Sequence, residues 1–413
     1  MAVALENSVR AIREIESSEP RAENAEHASW IELSASALRH NAHVFRTVGA
    51  ATQPQPGVGV VLKGNAYGHG FRQVLPVIHD VVDAIYVITP QDGLAVRAFE
   101  RSAGRPARQV VVIGAIASKE AVELAREGVD AVVADASWTD AVPQLRASGR
   151  TLRVHVHLET GLGREGFSPG GLARDLAFLV DNRDVFEPVG VLSHFANVED
   201  VTEQAYAQQQ VHTFERGLEE LQALLKPPRP LQRHMAASAA TLILPESRMD
   251  LTRVGISLYG LWPSNPTRLS ARVVMGEIPL LRPVLTWRCR SQSVKLLPAG
   301  SFVGYGCTYR CTEPSRVAVL PVGYFDGYPR LASGRAHVLV NGQRCPVLGR
   351  VMMNHIIVDV TRASPDERPV VATLIGQDGE EHVTVDMLAT WAETIHYEIV
   401  ARLGAHLRRD VVE

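Results

Sequence analysis

Between about residue 58 and residue 260, short apolar, β-rich runs alternate with segments of helical period, and they do so eight times. The runs cover 58–63, 84–89, 109–114, 130–134, 152–159, 188–195, 232–238 and 251–260. The helical patterns between them include 119–127, 138–147, 171–181 and 202–225. Parallel strands require helical crossovers, and eight of them close a barrel whose interior side chains fill. The pattern therefore predicts an α/β fold, a (β/α)8 TIM barrel; a doubly wound open sheet satisfies the same strand count.

Beyond about residue 266 the long helical patterns stop. Short Val-rich runs take over at 283–288, 316–321, 336–340, 343–348 and 356–360, with Asn341-Gly342 as a two-residue hairpin signal between two of them. A chain of 413 residues exceeds one ordinary core. The expected organisation is a tail at 1–28, helical or disordered, a barrel at 29–265 and a mostly β C-terminal domain at 266–413. A formal charge of −3 gives no electrostatic case for nucleic acid or an anionic membrane. No apolar run reaches membrane-spanning length and the first 28 residues lack the apolar core of a secretion signal. Cys289, Cys307, Cys311 and Cys345 form no CxxC pair and no metal-ligand spacing, so reduced thiols, a cytoplasmic location and no bound metal are expected.

The chemistry gathers where barrel strands end. The run Val58-Gly59-Val60-Val61-Leu62 ends in Lys63, followed at once by Gly64-Asn65-Ala66-Tyr67-Gly68-His69-Gly70. An amine leaving a buried strand into a glycine-rich turn is expected to be desolvated and fixed, as a Schiff-base lysine must be. Other strand ends supply Arg164, His194, Ser238 and Arg253. Gly161-Leu162-Gly163-Arg164-Glu165-Gly166 satisfies GxGxxG, but it follows the fifth strand rather than opening the first βα unit, so dinucleotide binding is not expected.

The segments KGNAYGHG, HLETGLGREGF, SHFANVED, ASAA, RVGISLYG, VGYGCTY, LPVGYFDGYPR and NGQRCPVLGRVMMN, in this order, resemble those of alanine racemases, which use pyridoxal phosphate. The resemblance runs from Trp30 to Ile395 and implies a barrel followed by a β domain. It implies that Lys63 holds the cofactor and serves as base on the D side, and that Tyr305 serves the L face, tuned through His194 and Arg253. A phenol with a reference pKa near ~10 needs such tuning to act near neutrality.

By the same resemblance Arg253 faces the pyridine nitrogen. Arg164 meets the ring's phenolic oxygen, and Tyr67, Ser238, Gly255, Ile256 and Tyr397 cradle the phosphate. Arg164, Met353 and Tyr305 meet substrate, and Tyr324, Glu199, Arg330, Arg350 and Ile395 form an access corridor. The resemblance further implies a homodimer in which each subunit lends its tyrosine to the other, working on alanine to supply D-alanine for peptidoglycan precursors.

The chain departs from the family pattern at His157, where many members carry a carbamylated lysine propping up the arginine, and at Ala237, Asn354 and Asn197. Arg164 must then be held by another anion, such as Glu159 or chloride, or by none. These departures motivate an alternative, a broad-specificity racemase acting on serine, lysine or arginine. A non-catalytic carrier of pyridoxal phosphate and a decarboxylase of related architecture are further alternatives. The β domain bearing Tyr305 argues against the carrier, and the decarboxylase's cysteine–aspartate pairing is not visible.

Overall fold

A computed structural model of the chain describes residues 28–199 and 201–413. The tail expected at 1–28 lies outside the described residues except at Ala28. The first sheet is a barrel of eight parallel strands: β2 (Gly57–Val61), β3 (Ala84–Val87), β4 (Gln109–Val112), β5 (Asp130–Val133), β6 (Leu152–His157), β7 (Phe186–Leu192), β8 (Gln232–His234) and β9 (Leu251–Val254). Neighbours pair in sequence order from β2 to β8, and β9 returns to β2. A bridge between Ala237 and Arg253 draws β8 and β9 together, so the sheet nearly closes. All eight strands fall within the runs expected from sequence or within two residues of them. The open-sheet alternative is thereby set aside.

The runs are apolar because both faces are covered. Ala84–Val87 is buried throughout, half of it facing the interior and half the surrounding helices. The interior is filled by Val61, Ala84, Tyr86, Val111, Val132, Leu192 and Leu251, topped by Tyr67 and Ile113. Three expected helices are broken or short: 138–147 is a 3-10 segment, Ala136–Ala141, followed by Val142–Ser148, 171–181 is two pieces, Leu172–Asp175 and Ala177–Asp181, and the long pattern starts at Ala205 rather than 202.

The second sheet has ten strands, with β10 (Leu285–Arg290), β11 (Ser293–Leu297), β14 (Ser315–Leu320), β15 (His337–Val340), β16 (Gln343–Leu348), β17 (Ile356–Asp359), β18 (Val371–Asp378), β19 (Glu381–Val383) and β20 (Arg408–Val412). A separate ribbon joins β12 (Phe302–Val303) to β13 (Tyr309–Arg310). Asn341 and Gly342, both at positive φ, form the expected two-residue hairpin with Val340 opposite Gln343.

The tenth strand corrects the expected boundary. β1 (Ser29–Ser34), grouped by sequence with the barrel, instead pairs antiparallel with β10 and parallel with β20. Its alternating burial, with Ile31 and Leu33 inside, suits a sheet with one covered face.

Candidate active site

Lys63 leaves β2 two residues past its last strand residue, at the carboxyl end of the barrel. The chain then makes a left-handed turn, with positive φ at Gly64, Asn65, Ala66, Tyr67 and Gly68. Three of these carry side chains, each at a cost of roughly 1–2 kcal/mol. Such a turn persists only where its surroundings hold it. They do so from the other domain: Arg409 on β20 donates from Nε and Nη2 to Gly68 O at 3.0 and 2.9 Å. His69 is buried beneath, its ring stacked on Tyr259 at 4.2 Å.

A cavity of about 260 Å3 opens above the turn. It brings together Lys63, Tyr67, His157, Arg164, Glu165, His194, Glu199, Ser238, Arg253, Gly255, Ile256 and Tyr397. The expected cofactor-side residues therefore converge from six separate segments. Lys63 differs from expectation in one respect. It is exposed at the cavity mouth rather than buried. Crowding by protein atoms, then the Arg164 guanidinium, still lowers its pKa from the usual lysine value, with Glu165 opposing. Its Nζ lies 5.8 Å from the Tyr67 ring centroid.

At one end of the cavity, Tyr67, Ser238, Gly255 and Tyr397 form a hydroxyl-lined cradle. Gly255 N donates to Ser238 Oγ at 3.0 Å, and a Cβ added at Gly255 would stand 2.5 Å from Tyr67 Oη. The position thus has to be glycine for phenol and backbone to meet over the same space. Tyr67 and Tyr397 rings lie 6.4 Å apart. Burial raises both phenols, Tyr397 to about 12, so both are neutral donors.

The floor is cationic. Arg253 is 5% exposed and donates to the carbonyl oxygens of Ser193, at 2.6 Å, Met235, at 3.1 Å, and His234, with no carboxylate bonded to it among the described residues. Burial pulls its pKa down to about 10, leaving it charged near neutrality. His194 Nδ1 stands 3.4 Å from Arg253 Nη2. Burial first, then the charges of Arg253 and Arg164, lower His194 to about 3, so it is neutral and has an acceptor nitrogen.

Arg164 is held by a partner that the sequence reading missed. Glu165 Oε1 accepts from Arg164 Nε at 3.1 Å and Nη2 at 2.8 Å, and His157 Nδ1 stands 3.9 Å from the same oxygen. Glu159 instead accepts from the backbone N–H groups of Gly161, Gly163 and Arg164. It fastens the loop and not the guanidinium. Those amides of the GxGxxG segment are therefore committed to a carboxylate of the same chain. The signal for Glu165 was its place beside Arg164 on a strand-end loop, but an acid there also reads as a solvated surface charge.

Of the residues expected to meet substrate, Arg164 lines the cavity, while Tyr305 and Met353 are elsewhere on the chain. Tyr305 is 71% exposed on a loop of the β domain and does not line the cavity. Arg350 lies beside it, its Nη1 3.2 Å from where a Cβ on Gly306 would stand. Met353 is exposed, and its carbonyl accepts from Phe325 N, while Met352 O accepts from Tyr324 N. Tyr305, Arg350, Met353 and Tyr324 thus share one face of the β domain, and Arg330 is exposed on the same domain. Of the expected corridor only Glu199 lines the cavity. Ile395 lines an adjoining pocket with Glu199 and Tyr397.

Residues 33–263 match the profile described as alanine racemase, N-terminal domain, and residues 284–411 that of the C-terminal domain. The chain is 33% identical over 388 residues to an alanine racemase of Leptospira interrogans, covering 94% of this chain and 96% of that protein. It is 35% identical over 393 residues to one from Symbiobacterium thermophilum, covering 92% and 96%. Among solved structures it resembles the alanine racemase of D-cycloserine-producing Streptomyces lavendulae, with TM-score 0.82 and 30% identity over 94% of this chain and 98% of that one. It also resembles that of Bacillus anthracis with bound L-Ala-P, with TM-score 0.82 and 27% identity over 95% and 96%.

Proposed function

This chain belongs to the alanine racemase family, and on that premise we propose that its barrel cavity holds pyridoxal phosphate on Lys63 while a second copy of the chain lends Tyr305. The reaction is the interconversion of L- and D-alanine. One observation carries the cofactor assignment. A depressed lysine amine, a hydroxyl and backbone cradle, and a buried arginine bonded to backbone carbonyls share one cavity. That set fits an anionic aromatic aldehyde: the amine for the aldehyde, the cradle of Tyr67, Ser238, Gly255, Ile256 and Tyr397 for the phosphate, and Arg253 for the ring nitrogen. When bound, pyridoxal phosphate supplies acidity at the substrate Cα by withdrawing electron density into its ring.

The chain's own groups do the rest. Lys63 Nζ, lowered in pKa and freed once the substrate amine replaces it on the cofactor, would be the proton acceptor and donor on one face of the substrate Cα, with Tyr305 Oη its counterpart on the other. Arg253, still cationic, would donate toward the ring nitrogen of bound pyridoxal phosphate without surrendering a proton, limiting electron withdrawal and favouring return of the proton to Cα. Neutral His194, beside Arg253, would meet the incoming Tyr305. Arg164, oriented by Glu165, would meet the ring's phenolic oxygen and the substrate carboxylate, with Met353 of the second copy closing the site.

The homodimer is supported by where Tyr305 stands. The tyrosine assigned to the second face does not line the cavity of its own chain, and its β domain exposes it with Phe302, Tyr324, Phe325 and Met353. Supply of D-alanine for peptidoglycan precursors, in the cytoplasm, is the corresponding biological role.

Incubating the protein and pyridoxal phosphate with either enantiomer of alanine, with chiral chromatography of the product, tests the reading. Equal mixtures should form from both directions. Conversion from neither, or much faster turnover of serine, lysine or arginine, would overturn the alanine assignment.

A further inference from the structure

Behind Arg253 the barrel interior holds a line of polar side chains that the reaction above leaves unused. Arg253 Nη1 lies 3.3 Å from His234 Nδ1, and Tyr86 Oη lies 3.2 Å from the same nitrogen. His234 Nε2 is 2.8 Å from His155 Nδ1, and His155 Nε2 is 3.3 Å from Asp130 Oδ2. Asp130 is the first residue of β5, so the line runs from the cofactor end of the barrel to its amino-terminal end, where Arg153 Nε faces Asp130 Oδ1 at 3.4 Å. Tyr86, Asp130, His155 and His234 are all at most 1% exposed. Space for the line is built in: a Cβ on Gly190 would stand 2.0 Å from His155 Nδ1.

One direction of the protons along this line pairs its donors with its acceptors. With the Asp130 carboxylate as acceptor, the His155 proton stands on Nε2 and its Nδ1 accepts. His234 must then donate from Nε2. Burial keeps His234 neutral, with one N–H only, so its Nδ1 is bare and accepts from Arg253 and Tyr86. Gln109 Nε2 donates to Asp130 Oδ2 at 3.2 Å and to Gln232 Oε1 at 2.9 Å, consistent with an accepting carboxylate, and stands farther off, 3.5 Å, from His155 Nε2. The reverse direction would set a His234 N–H against the guanidinium N–H at 3.3 Å, two opposed donors in a buried site.

We propose that Asp130 is a positioning residue for racemisation: through His155 it fixes the proton direction of the line and so presents an acceptor nitrogen of His234 to Arg253. This rests on the assignment of Arg253 to the cofactor ring. The alternation of β6 carried the signal, since Arg153, His155 and His157 share its inward face.

Histidine-selective 15N labelling of the holoenzyme, with His155 and His234 assigned by His155→Gln and His234→Gln difference spectra, reads which ring nitrogen bears the proton. Both residues should be Nε2–H in the native protein. In Asp130→Asn the side-chain amide can donate, both tautomers should reverse, and kcat should fall on the order of tenfold with KM for alanine changed less than about twofold. Asp130→Glu, which keeps the acceptor, should retain the native tautomers and recover most of kcat. A native His234 protonated on Nδ1 overturns the proposal, and that result needs no foldable variant. Reversed tautomers with unchanged kcat overturn it as well. Tautomers are read without turnover, so a native protein inactive on alanine would defeat the proposed function separately.

Discussion

Tyr67 Oη lies 2.5 Å from the point where a side chain on Gly255 would begin. A phenol and a peptide N–H can therefore reach one phosphate only while residue 255 has no Cβ. Gly255→Ala should raise the dissociation constant for pyridoxal phosphate by about tenfold, or about 1.4 kcal/mol. Absorbance titration of apoprotein measures it, with circular dichroism as the check on folding. An unchanged constant would remove the cradle from the account.

Mixing two inactive variants tests the shared site. Lys63→Ala should lack the cofactor's colour, and Tyr305→Phe should keep it while losing turnover by roughly 10²-fold or more. Unfolded together and refolded, they should recover about a quarter of native activity, because half the dimers then hold one intact site of two. Sites built within single chains would recover nothing.

The Arg164 guanidinium, after crowding, is the second influence lowering the Lys63 amine. A lowered amine is neutral at lower pH, and only the neutral amine combines with an aldehyde. The rate of cofactor uptake should therefore rise with pH about a midpoint below the ordinary lysine value of 10.5. Arg164→Gln should move that midpoint upward. Stopped-flow absorbance across pH 7–10 checks it, and a midpoint that stays or falls would contradict the electrostatic reading.

Buried histidines should make the fold acid-sensitive. Burial lowers His69 and His157 to about 4 and His194 to about 3. In the unfolded chain each titrates near ~6.5. Between those values the unfolded state binds protons that the folded state refuses, so stability is present above pH ~6.5 and is lost as pH falls toward 4. Each contributes a slope of up to roughly 1.4 kcal/mol per pH unit. Calorimetry should show proton uptake on unfolding at pH 5 and little at pH 7.5.

The barrel was legible because strands covered on both faces, such as Ala84–Val87, are unbroken apolar runs. β1 was misplaced because its partners lie far along the chain, Ser29 opposite Cys289, and nothing local marks such a pairing. The two-residue strands of the ribbon carrying Tyr305 are too short for any period. At the site, glycines announced the turn after Lys63. They did not show that Asn65, Ala66 and Tyr67 would share its left-handed backbone, since Arg409 fastens it from β20. Arg253 and Lys63 were found by their places at strand ends. His155 and His234 were passed over because a histidine inside an apolar run also reads as ordinary core.

The chain contains four lysines, Lys63, Lys119, Lys226 and Lys295, which makes the central assignment open to one measurement. Borohydride reduction of the protein loaded with pyridoxal phosphate, followed by proteolysis and mass spectrometry, identifies the amine that carries the cofactor. The account predicts a stoichiometric adduct on the peptide containing Lys63. An adduct at Lys119, Lys226 or Lys295 instead, or no adduct at all, would contradict it.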